Sequence, residues 1–176
     1  MLETMVHYAL RSDIIHVAVI PAPRVYMQGH EVVHATLGKS AFAAFMGHGF
    51  EKDDIESVLG PEYEHIFVPT TPDAFIRGVH FLMSLVGKAY NYVDLPLTIL
   101  PHAWKMRTHI APQKFEESQN RVFCSQVGLM LCYVCEILGT EHNEDPAFCA
   151  PSDLYDLVLQ KANGKRLNTL CIVINA

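Results

Sequence analysis

Cys124 stands near the front of an apolar run, RVFCSQVGLMLCYVCEIL at 121–138, with Cys132 and Cys135 deeper in the same run. It lies where the polar stretch ESQN (117–120) gives way to helix-forming sequence, which puts it in the first turn of a helix. Unpaired N–H groups and the helix dipole at that end favour a thiolate over a thiol. A cysteine so placed becomes a nucleophile when a base, usually a histidine held by a third polar group, stands beside it. Without one it is a small buried hydrophobe. Two histidines interrupt apolar, strand-like sequence far upstream: His16 in DIIHVAVIP (13–21) and His34 in EVVHATL (31–37). An imidazole inside such a strand needs a hydrogen-bond partner, and a satisfied core histidine is the alternative reading for each. Strand alternation gives His16 a face with Ala18 and Ile20, and His34 a face with Val32 and Thr36. If the two strands pair antiparallel, both rings reach one face and a Cys–His–His relay becomes possible.

Taken in order, HVAVI, VVHA, AYNYVDL, FCSQV and APSDLYD resemble the circularly permuted form of the papain-like NlpC superfamily, in which the histidine strands precede the cysteine helix. The likeness runs over about residues 13–158. It is nearest to the YiiX-like permuted hydrolases and more distant to lecithin:retinol acyltransferase-like proteins. The resemblance implies an antiparallel sheet packed on the cysteine helix and thiol chemistry on amide or ester bonds. It makes Cys124 the nucleophile, His16 the general base and His34 the polar residue that orients it. Beside the backbone N–H of Cys124, the candidates for meeting the oxyanion are Tyr90, Tyr92 and Ser125; AYNYVDL is similar to a segment that lines the family's cleft. Packing at a helix end is the other reading of the two tyrosines. Three features depart from the family: Ala18 where glycine is common, Gln126 where glutamate is frequent, and a long turn from Ile20 to His30. Glu31 is a reserve orienting residue, although alternation sets it opposite His34.

The function implied is amide cleavage through an acyl-enzyme, by a peptidase or amidase, with bacterial cell-wall peptide the family's commonest substrate. Lipid acyl transfer or acyl-amide hydrolysis would use the same residues, with DLPLTILPHAW (94–104) furnishing an acyl groove. A catalytically idle binding or virion structural protein of the same fold is the third reading.

The rest of the chain bounds these readings. It has 176 residues, half of them hydrophobic and 18% charged, which fits one domain over 1–176. A net charge of −6 with no basic run argues against a nucleic-acid partner. No stretch approaches the ~18 apolar residues of a membrane span, and the N-terminus lacks the pattern of a secretory signal. Five cysteines, three of them in one segment, suit a reducing compartment. A cytoplasmic protein is therefore expected, with an injected effector or a phage-encoded protein left open. The lone C-x-x-C at Cys132 and Cys135, with Cys149 and Cys171 isolated, reads as core rather than zinc site. The other histidines show no ligand spacing, so neither metal nor cofactor is expected. Trp104 reads equally as a substrate contact or a packing anchor.

The elements that must position the site are mixed, and an α+β class follows. Strands are expected at 13–21, halted by Pro21 and Pro23, then at 31–37, 62–69 and 170–175. Residues 39–60 look helical in pieces, broken at Gly47 and Gly49. A helix starts at Pro72 with Thr71 as its cap and Gly87 as its stop. A long loop, with room for one short helix, is expected over 91–120. The cysteine helix runs to about Leu138, and a shorter helix, capped by Ser152, covers 151–160.

Overall fold

The computed structural model of the chain describes residues 16–23, 40–45, 48–54, 63–91, 121–139, 146, 149–161 and 168–175. The elements are β1 (His16–Pro23), β2 (Ser40–Phe45), β3 (Gly49–Asp54), β4 (Tyr63–Thr70), α1 (Pro72–Leu85), β5 (Ala89–Tyr90), β6 (Arg121–Val122), α2 (Cys124–Val134), α3 (Pro151–Lys161) and β7 (Asn168–Asn175). The class is α+β. Five strands form an antiparallel sheet ordered β3-β2-β1-β7-β4, and β5 and β6 form a short parallel pair. The last strand is central: β7 pairs with β1 from His16↔Asn175 to Pro23↔Asn168, and with β4 from Tyr63↔Asn175 to Thr70↔Asn168.

The described part of 39–60 overturns the helical expectation. Residues 40–45 and 49–54 form the antiparallel pair β2–β3, in register from Ser40↔Asp54 to Phe45↔Gly49. SAFAAF is rich in alanine, and its propensity points to helix. Its burial decides otherwise: Phe42, Ala44 and Phe50 enter the core, and the Phe42 and Phe50 rings stack with centroids 6.4 Å apart. Burial of two phenylalanines outweighs an intrinsic preference of a few tenths of a kcal/mol per residue. The antiparallel neighbours of β1 are therefore β2 and β7. The 31–37 stretch, expected beside β1, lies outside the described residues, as does the expected loop over 92–120.

Pro21 and Pro23 do not stop β1, which continues through both. Pairing with β2, at Ala18↔Ala43 and Val19↔Phe42, has ended before either proline, so on that edge of β1 a missing donor leaves no partner strand unsatisfied.

The helix from Pro72 forms as expected. Thr71 is extended at φ −79° and ψ 157°, its Oγ1 accepts the Ala74 N–H at 3.3 Å, and Gly87 follows at φ 86°.

α2 is the central helix. Every residue from Cys124 to Cys132 is buried, because β1 and β2 cover one side, α1 another and α3 a third. It ends at Val134, a turn short of the expected Leu138. Glu136 takes φ 53°, its N–H bonds the Tyr133 carbonyl at 3.0 Å, and the Ile137 N–H bonds the Cys132 carbonyl at 2.9 Å. That is a Schellman stop with glutamate in the glycine position. Arg77 of α1 supports it, with Nε donating to the Val134 carbonyl at 3.4 Å and Nη2 to Glu136 Oε1 at 2.6 Å.

α3 begins at Pro151, so Ser152 falls inside the helix and is not its cap. Asp153 supplies the terminal bond instead, its Oδ2 accepting the Ala150 N–H at 3.1 Å. α3 is pinned to the start of α2 by Ser125 Oγ, which donates to the Cys149 carbonyl at 2.6 Å, and by Leu154, which fills the space above Gly128.

Candidate functional site

The site forms where the first turn of α2 meets the first residues of β1. Phe123, extended at φ −123° and ψ 167°, is the N-cap residue, and Cys124 is the first residue of the helix proper. Phenylalanine has no oxygen with which to cap. The terminus is closed from within: Gln126 Oε1 accepts the Phe123 N–H at 3.3 Å.

Three backbone N–H groups converge on the Cys124 sulfur: those of Val17, Ser125 and Cys124 itself. The Val17 N–H belongs to the peptide that joins His16 to Val17. The donor that meets the sulfur is the backbone and not the ring. Val17 and Val19 belong to the core cluster that includes Cys124 and Val127, and Val17 faces Gly128 on α2. Alternation gives His16 the parity of Ala18 and Ile20, on the other face of β1.

Burial sets the protonation of both groups. Cys124 keeps only 7% of its surface, and burial pushes its thiol up, against the opposing pull of the three N–H groups. Burial also lowers His16, to a pKa of about 4. The resting pair at neutral pH is a thiol and an uncharged imidazole. The thiolate expected from the helix terminus is thus overridden, because the cost of removing an anion from water exceeds what a dipole and three N–H groups return.

Ser125 is buried, and its hydroxyl is committed to the Cys149 carbonyl at 2.6 Å; its backbone N–H, not its oxygen, is directed at the Cys124 sulfur. Tyr90 is buried on β5 and pairs with Val122, two residues before Cys124, while the Asn91 N–H bonds the Val122 carbonyl at 3.0 Å. His34, Tyr92, Glu31 and Trp104 lie outside the described residues.

Cys132 and Cys135 are core. Cys132 is held far above the ordinary thiol range by burial, and Cys135 is pushed up to about 12 for the same reason. The Cys135 thiol donates to the Ala74 carbonyl at 3.4 Å, against α1. Among the described residues no group of three or more His, Cys, Asp or Glu is placed to hold a metal, and no helix is long and apolar enough to cross a membrane. The three thiols should therefore separate in reactivity. Under iodoacetamide at rising pH, peptide mass spectrometry is expected to find Cys124 alkylated first, at a pH above that needed by an exposed thiol, with Cys132 and Cys135 protected until the protein unfolds. Equal rates for Cys124 and Cys132 in the folded state would contradict the site.

Two contributors gave little sequence signal. The Val17 N–H is a backbone group, which no residue type reveals. Gln126 occupies the third helical position of a capping box, but phenylalanine at the cap hides the usual S/T-x-x-Q pattern. Compared with family models, with curated proteins and with solved structures, the chain matches none of them.

Proposed function

We propose that the protein is a thiol hydrolase of the permuted papain-like type that cleaves amide bonds, with peptides or peptidoglycan fragments as substrates. The observation that supports this reading is the backbone N–H of Val17, the residue after His16, directed at the thiol at the start of α2. With its ring turned about the first residue of β1 to the Cys124 face, His16 removes the Sγ proton as the sulfur lone pair forms the C–S bond, and the carbonyl π pair moves to oxygen. The N–H groups of Cys124 and Ser125, already turned to the sulfur, meet that oxyanion. Collapse breaks the C–N bond, and the amine leaves with the proton from His16. Water, deprotonated in turn by His16, splits the thioester and restores the thiol. His34 orients the imidazole. Since both partners are uncharged at rest, the proton moves during attack and not before it.

Lipid or acyl-amide substrates would follow the same steps. Wild type and Cys124→Ala, incubated with peptidoglycan fragments and separately with phospholipid and acyl-amide substrates, are expected to differ completely in the products seen by mass spectrometry. Turnover that survives loss of the thiol ends this mechanism. A wild type inert to every substrate, with Cys124 unreactive, favours an idle binding protein of the same fold.

A further inference from the structure

The geometry points to Gln126 as the positioning residue of the nucleophile: its side-chain oxygen fixes the peptide before Cys124, and so aims the first-turn N–H groups at the sulfur. The inference rests on Cys124 being the reactive thiol, and it adds a residue to which neither the resemblance nor the residue pattern gave a role.

Gln126 is entirely buried, and one hydrogen bond is made by its side chain, from the Phe123 N–H to Oε1 at 3.3 Å. Among the described residues its Nε2 has no hydrogen-bond partner. A buried donor left unsatisfied is costly, and a residue chosen for core packing alone would carry no amide there. The acceptor is therefore the useful half of the side chain. The bond spans the N-cap residue, which must be extended for the helix to begin at Cys124, and Phe123 is extended. Val122, the residue before it, is tied to Asn91 and paired with Tyr90. Held on both sides, the Phe123 peptide cannot rock, and the direction of the next two N–H vectors is set. Those two, of Cys124 and Ser125, are two of the three donors on the sulfur. Without the acceptor, the Phe123 N–H is stranded in the core and the first turn can loosen until that donor falls free.

The test separates the acceptor from the size of the side chain. Gln126→Met keeps length and burial but removes the oxygen; Gln126→Glu keeps an accepting oxygen and removes the idle amide. The alkylation rate of Cys124 by iodoacetamide, followed across pH by peptide mass spectrometry, reads the thiol directly and needs no substrate. The methionine variant is expected to lose about tenfold in rate at a fixed pH near 8, with its profile displaced to higher pH. The glutamate variant is expected to stay within a factor of about three of wild type. Equal profiles for wild type and Gln126→Met overturn the proposal, and so does a glutamate variant as impaired as the methionine one. If Gln126→Met fails to fold, the glutamate variant decides: a near-native profile supports the role of the acceptor and a displaced profile refutes it. Failure of the underlying reading looks different, because Cys124 of wild type would then resist alkylation at every pH at which the protein is folded.

Discussion

Between pH 6.5 and pH 4 the wild-type protein is expected to lose about 3 kcal/mol of folding stability that a His16→Gln variant does not lose. The cause is burial. His16 begins β1, the fold encloses its ring, and its pKa falls from 6.5 to about 4. In the unfolded chain His16 takes up a proton as the pH drops through 6.5; in the native state it stays neutral until about 4. Throughout that interval the unfolded state binds more protons, so stability rises with pH there and is complete above 6.5. Each pH unit of the interval is worth about 1.4 kcal/mol. Urea midpoints read by circular dichroism at pH 7.5, 6, 5 and 4.5 would measure the difference. The carboxylates contribute to both proteins alike, whereas glutamine offers hydrogen bonds without a titration. Parallel curves for the two proteins would mean that the imidazole is solvated and not held neutral. The same enclosure bears on function: it keeps the imidazole unprotonated over the whole neutral range and at the same time weakens it as a base, since a general base works best with a pKa near the operating pH.

The regular elements were legible where sequence pattern and burial agree. Thr71-Thr-cap, Pro72 and Gly87 mark α1 because each meets a backbone requirement that few other residues satisfy. β4 and β7 read correctly as apolar strands. SAFAAF did not, since alanine carries helical preference while burial of Phe42 and Ala44, together with Phe50 of the partner strand, decides for a strand. The end of α2 was missed because a glutamate fills the left-handed position that glycine usually announces. At the site, the residue types pointed to Cys124 and His16; the fold directs the N–H of Val17 at the Cys124 sulfur, while strand alternation gives His16 the other face of β1. The protonation state was not legible. A dipole at a helix start can be inferred from position along the chain, but the depth at which that start is buried depends on every element packed over it.

Gly49→Ala is expected to destabilise the protein by about 3–5 kcal/mol, a large share of what a domain of this size has to lose. Two costs coincide. Gly49 sits at φ 94°, where a Cβ strains the backbone. That Cβ would also drive into the carbonyl oxygen of Lys88, with the Lys88 carbonyl carbon at 3.2 Å and the Ala89 Cα at 3.3 Å. These are backbone atoms, and they are pinned: the Phe50 N–H donates to the Lys88 carbonyl at 2.8 Å and the Gly87 N–H to the Phe50 carbonyl at 2.9 Å. Nothing there can swing aside as a side chain would. Two other glycines separate the contributions. Gly87 has φ 86° with open space around its Cβ position, so Gly87→Ala meets strain alone and should cost roughly 1–2 kcal/mol. Gly128 is crowded mainly by the end of the Leu154 side chain, which can shift, and Gly128→Ala should fall between the two at about 1–3 kcal/mol. Asparagine, which tolerates positive φ, should recover stability at 87 but not at 49. Denaturation of the five variants would rank them; a Gly49→Ala no worse than Gly87→Ala would show that the Lys88 contact yields. The clamp also matters to the site, because the strand it fixes, β5, runs beside Val122 and thereby holds the chain that enters α2 at Cys124.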